Sequence, residues 1–180
     1  MYINTKTQQY PVSESAIRAA FPNTSFAAPF QAPEPYAWVF QAPPPPYDPI
    51  LQAVRELAPV LTDKGHWEQR WDVYGLTAEQ VAANQAARAQ AVLADIVQRT
   101  QQRLDEFAQT RHYDGILSAC TYATSAVPKF KAEGQYCVQQ RDATWAALYQ
   151  VLAEVEAGTR PAPTGFADVE GDLPALTWPD

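Results

Sequence analysis

The residue types that carry most protein chemistry are sparse in this chain of 180 residues. It has two histidines, His66 and His112, and two cysteines, Cys120 and Cys137. A general base or an activated nucleophile needs a partner held within hydrogen-bond reach. His66 falls at a predicted turn. His112 falls at a predicted helix corner, where solvation or C-capping is the plain role. Ser118, Ser125, Cys120 and Cys137 lie in no nucleophile elbow and no Cys–His motif, and no Gly-rich phosphate loop is present. Asp105, Glu106 and Asp114 are separated by a corner, and a solvated acidic face accounts for them more simply than a metal site. Cys120, Cys137 and His112 lack the fourth ligand and the regular spacing of a zinc set. The expectation is no catalytic residue, no metal and no cofactor.

The aromatic side chains are more suggestive. Tyr36, Trp38, Phe40, Tyr47, Trp67 and Trp71 crowd into a Pro-rich region that is small for so much ring area. They form either a compact aromatic β core or, in part, an exposed patch for a protein partner, where Tyr and Trp are the usual anchors. Tyr36, Trp38, Phe40, Trp67 and Trp71 are the candidate partner-binding residues.

The elements that must position these residues divide unevenly. Eleven of the 16 prolines precede residue 77 and only Pro128 falls within 77–157, so the first third reads as loop and edge strand and the middle as helix. Residues 2–12 read as a short strand ending at Pro11. Ser13 caps a two-turn helix whose Ile17 and Phe21 share a face. Tyr36-Ala37-Trp38-Val39-Phe40 is a strand with Tyr36, Trp38 and Phe40 on one face, and the prolines around it suit an edge strand or its boundaries. The run 43–46 should be a polyproline II connector. Residues 51–61 and 66–74 form the arms of a hairpin turning through Thr62-Asp63-Lys64-Gly65, with Trp67, Gln69, Trp71 and Val73 on one face. Pro59 marks an edge or a bulge, and the first arm can also begin as a short helix.

Residues 77–109 contain neither Gly nor Pro and open with Thr77-Ala78-Glu79-Gln80, a capping box. This predicts a helix of roughly 50 Å. Ala82, Ala86, Ala89, Leu93, Ile96, Thr100, Leu104 and Phe107 make a heptad-like seam. Its N-terminal half has only alanine to bury, so Ala82, Ala86, Ala89, Leu93 and Ile96 are the candidate oligomerisation residues. A short helix over 115–125 follows, then a helix over 128–157 with Pro128 at its first position and Gly158 as its stop. The last helix should fold back on 93–107. Residues 158–180 should form an extended tail pinned by Phe166, Leu173, Leu176 and Trp178. The predicted class is α+β: a small Pro-rich N-terminal β region with a hairpin (1–76), then a long helix and an antiparallel helical hairpin (77–157), then the tail.

The formal net charge is −7 and no region is basic, which argues against nucleic acid as a partner. The sequence contains no run near the ~20 apolar residues of a membrane span, and Met1-Tyr2-Ile3-Asn4 leads into polar residues rather than a signal peptide. Two cysteines without framework spacing read as small reduced side chains.

Several strings taken together resemble a known group. They are Tyr47-Asp48-Pro49-Ile50, the run Pro59-Val60-Leu61-Thr62-Asp63-Lys64-Gly65-His66-Trp67-Glu68-Gln69-Arg70-Trp71, Tyr113-Asp114-Gly115-Ile116-Leu117-Ser118-Ala119-Cys120, Arg141-Asp142-Ala143-Thr144-Trp145 and Leu173-Pro174-Ala175-Leu176-Thr177-Trp178-Pro179. Their order is similar to that of small tail proteins of tailed bacteriophages, including tail fibre assembly proteins. The resemblance implies a non-enzymatic chaperone whose partner is the phage tail fibre protein, acting in the host cytoplasm during assembly and in some members retained on the virion. It transfers no site residues, because the group has no sharp site motif. It leaves a second reading, a structural virion protein that trimerises through its long helix.

Overall fold

A computed structural model describes residues 1–179 and has an α+β fold. The chain divides into two compact units, Met1–Asn84 and Gln85–Asp180. The boundary lies inside the long helix rather than at the strand–helix junction expected near residue 76. Asn84 accounts for the difference: its Nδ2 donates to the carbonyls of Pro49 and Ile50 at 3.2 and 3.5 Å, tying the first helical turns to the N-terminal unit.

The N-terminal unit holds four strands, β1 (Tyr2–Asn4), β2 (Tyr36–Phe40), β3 (Gln52–Leu61) and β4 (Trp67–Gly75), in the order β1-β2-β4-β3. β1 runs antiparallel to β2, β2 parallel to β4, and β3 antiparallel to β4. β2 is therefore an interior strand, and of the two readings its flanking prolines allowed, an edge or the strand's boundaries, the second holds. Those prolines lie outside its five ladder residues, so none removes a needed donor. The hairpin closes as expected, with Thr62 N donating to the His66 carbonyl at 2.9 Å and Gly65 at φ +78°. Pro59 does both things the sequence allowed. β3 is an edge strand, and its register against β4 slips by one residue between Leu57 and Val60, a bulge that removes the proline from the ladder. The first arm begins in a turn at Pro49–Ile50 rather than a helix. The helix α1 (Glu14–Ala20) is capped by Ser13 Oγ, which accepts from Ala16 N, and buries Ile17 with Tyr2 and Val12.

The helix α2 (Ala78–Gln109) starts with a complete capping box: Gln80 N donates to Thr77 Oγ1 at 3.3 Å and Thr77 N to Gln80 Oε1 at 2.9 Å. In the C-terminal unit it meets α3 (Ile116–Thr121), which continues into a 3-10 turn (Tyr122–Thr124), and α4 (Pro128–Glu156). Leu104, Phe107 and Ala108 pack with Ile116, Ala119 and Cys137, and Ile96 packs with Leu148 and Val151. This is the antiparallel hairpin the apolar stripes predict. Gly134, Cys137, Thr144, Leu148 and Val151 are buried, while Phe130 is exposed and meets only the edge of Tyr122. Gly134 is required by the 3-10 turn, since a Cβ there would lie 2.3 Å from Ala123 N.

Both long helices end in Schellman caps. At α4, Gly158 (φ +70°) donates to the Val155 carbonyl and Thr159 N to the Glu154 carbonyl. At α2, His112 (φ +65°) takes the left-handed position, donating to the Gln109 carbonyl while Tyr113 N reaches the Ala108 carbonyl. His112 thus has the capping role foreseen for it. The tail is docked but not wholly extended. It forms a short helix, α5 (Ala167–Glu170), which seats Val169, and it seats Leu173 just beyond, both in the Ile96–Leu148 core. Among the described residues, no helix is long and apolar enough to cross a membrane.

Candidate functional site

Cα partners across a ladder put their side chains on the same face, so the register assigns each aromatic of the N-terminal unit to a side of the sheet. Val39 pairs with Trp67, and Phe40 with Glu68, which in turn pairs with Val60. One face therefore carries Trp38, Phe40, Glu68 and Val60 in neighbouring rows. On it Trp38 is 49%, Phe40 53% and Val60 42% exposed. Trp38 makes one edge contact, with Tyr2 (centroids 5.0 Å apart), and Phe40 makes one, with His66 (4.9 Å). Both rings stand on a strand paired with β1 and β4 and remain about half exposed.

The other candidate residues separate from this pair. Tyr36 points to the same side but belongs to the small core beside α1, where its ring meets the edge of Phe21. Trp67 and Trp71 lie on the opposite face. Trp71 is fixed there by its Nε1–H donating to the Ala42 carbonyl at 2.7 Å, while Ala42 N donates to Gln69 Oε1. On the same side Glu56 Oε1 accepts from Gln69 Nε2 at 2.7 Å and from the Tyr10 hydroxyl, whose pKa burial and this carboxylate push up to about 12. The five aromatics therefore do not form one patch. Tyr36 and Trp71 hold the unit together, Trp67 is half-buried, and Trp38 and Phe40 remain as the exposed pair. Val60 belongs with them, and sequence reasoning missed it. Its place on the face of Phe40, across Glu68, depends on the parallel β2–β4 pairing, which has no local signal, and on the register left by the bulge at Pro59.

The candidate oligomerisation residues also divide. Ala82, Ala86, Ala89 and Leu93 are exposed, and so is every residue of 85–91. Ile96 is fully buried within its own unit, against Leu148, Val151, Val169 and Leu173. The returning helix and the tail occupy its face.

Several of the residues considered for chemistry have structural tasks. Asp105 Oδ1 accepts from Ile116 N at 2.8 Å, so it caps α3 from the neighbouring helix. Ser125 Oγ accepts from Val127 N ahead of α4. Cys137 is buried, and burial pushes its thiol up to about 12, which keeps it protonated and unreactive at neutral pH. Cys120 packs against the same cluster, and its thiol is likewise raised by burial. No group of three or more His, Cys, Asp or Glu able to hold a metal occurs among the described residues. Glu133 is a buried carboxylate with two partners. It accepts from Arg111 Nη1 and from the Tyr113 hydroxyl, each at 2.6 Å. Burial pushes the Glu133 carboxyl up, and the Tyr113 and Arg111 hydrogen bonds together outweigh it, leaving the group below its ordinary value.

Comparison with protein-family models, with curated proteins and with solved structures finds no match.

Proposed function

We propose that this chain is a protein-binding chaperone of tail fibre assembly in a tailed bacteriophage. In this reading it holds the fibre chain through the sheet face of its N-terminal unit, in the host cytoplasm during assembly. The observation that carries the reading is the placement of Trp38 and Phe40. Two large rings, each about half exposed, stand on an interior strand, with Val60 on the same face two strands away, across Glu68. A rigid strand presents such anchors without the entropy cost of ordering a loop, and aromatic anchors of this kind dominate protein interfaces. The resemblance to phage tail proteins supplies the partner. The alternative, a virion fibre that trimerises along α2, loses support because Ile96 is taken up by the chain's own core.

Co-expression with the fibre protein tests the reading. The chain should co-purify with the fibre, and Trp38→Ala and Phe40→Ala should each weaken that association while leaving the circular dichroism spectrum intact. Retention of full binding by the double variant would overturn it. Mass spectrometry of purified particles separates a departing chaperone from a virion component, since only the latter is present at fixed copy number.

A further inference from the structure

The C-terminal segment 174–179 lies on the helical unit as a ligand lies on a receptor. Its residues alternate: Pro174, Leu176 and Trp178 are half-buried, and Ala175, Thr177 and Pro179 face solvent. It makes no backbone–backbone hydrogen bond among the described residues. Side chains of the body hold it by its carbonyls instead: Arg103 donates to Pro174 O at 2.6 Å, Tyr136 to Thr177 O at 2.5 Å and Arg111 to Pro179 O at 3.2 Å. One slot selects a side chain. The Trp178 ring stacks on Phe107 with centroids 4.3 Å apart, the Arg111 guanidinium lies 4.5 Å from its centre, and its Nε1–H donates to Thr110 Oγ1 at 2.8 Å. Carbonyl contacts are indifferent to side-chain identity, and alternate pockets give the selectivity, which is how extended peptides are recognised. A shallow, solvent-open depression lies beside Leu176, lined by Arg103, Glu106, Phe107 and Thr110.

We propose that this groove is a binding site for an extended segment of a partner protein, with an apolar side chain and a tryptophan at alternate positions followed by proline. The chain's own residues 174–179 occupy it in cis and leave when the partner segment enters. A strap held by side chains alone opens at far lower cost than the core beneath it, and the partner must outcompete its high effective concentration. The site lies in the C-terminal unit and does not depend on the aromatic sheet face.

The test uses the full chain and a fluorescein-labelled peptide of residues 172–179, with binding read by fluorescence polarisation. Trp178→Ala should release the strap, so that this variant binds the peptide at least tenfold more tightly than the unsubstituted chain, and a peptide with alanine in place of tryptophan should not bind. Leu176→Ala, which loosens the strap while leaving the slot, should behave in the same way. Folded variants that bind no better than the unsubstituted chain would overturn the proposal. So would unfolding of both variants, which would make the segment part of the core, or a tail-exchanged dimer of the unsubstituted chain in light scattering.

Discussion

Trp38 and Trp178 both stand on extended stretches, yet the two units treat them differently. Trp178 is held by four neighbours, Phe107, Tyr136, Arg111 and Thr110, and its indole N–H has an acceptor. Trp38 has one edge contact, with Tyr2, and is half exposed. The difference follows from architecture. In the C-terminal unit two long helices and a returning tail provide surfaces on several sides of a side chain. In the N-terminal unit a four-stranded sheet with one short helix covers only part of each face. Trp38 and Phe40 are left half exposed on such a sheet, whereas Trp178 is satisfied within the chain; the helical unit also leaves rings in water, Tyr149 at 64% and Phe130 at 40%.

That contrast can be broken by substitution. The largest effect is expected in the helical core. Leu148→Ala should destabilise the C-terminal unit by about 2–5 kcal/mol, read by urea unfolding followed at the helical circular dichroism band. Phe40→Ala, a larger truncation, should shift stability by no more than about 0.5 kcal/mol, because over half of the ring is already in water. Its expected cost is in binding, about 2 kcal/mol or roughly 30-fold in affinity for the fibre chain, measured by titration calorimetry. A Phe40→Ala chain that unfolds would erase the distinction between the two units.

Next in size is Glu133→Gln, which removes a charged partner from Arg111 and Tyr113 and should cost about 1–3 kcal/mol at neutral pH. The folded-state pKa of Glu133 lies below its unfolded value. The stabilisation is therefore fully present above the unfolded value of about 4.3 and is lost as pH falls through the lower folded value. Thermal melts from pH 7 downward should show a smaller loss of stability in the variant than in the unsubstituted chain. The smallest effect is expected at Thr77→Ala, about 1 kcal/mol, since it removes one side of the α2 capping box. Hydrogen exchange should show that loss in the first turn alone.

Much of the fold was legible in the sequence because its signals are local. The capping box at Thr77 and Gln80, the glycine stop at Gly158, the turn at Gly65 and the break at Pro59 each act within a few residues, and each formed as read. The candidate site was legible only in part. Alternation along β2 placed Trp38 and Phe40 together on one face, but it could not show that Tyr36 would be drawn into the core beside α1. Nor could it show that Trp67 and Trp71 would face the other way, because that depends on a parallel pairing between strands separated by a hairpin arm. The apolar period of α2 was equally ambiguous. Ile96 fits a seam between copies as well as it fits a core, until α4 and the tail are placed against it.

The residues themselves therefore determined where helices and turns begin and end, since caps, glycines and prolines act through the backbone of their immediate neighbours. Only the tertiary structure decided which large side chains remain in contact with water. Burial depends on surfaces brought from distant parts of the chain, and those surfaces were sufficient around Trp178 but not around Trp38 and Phe40.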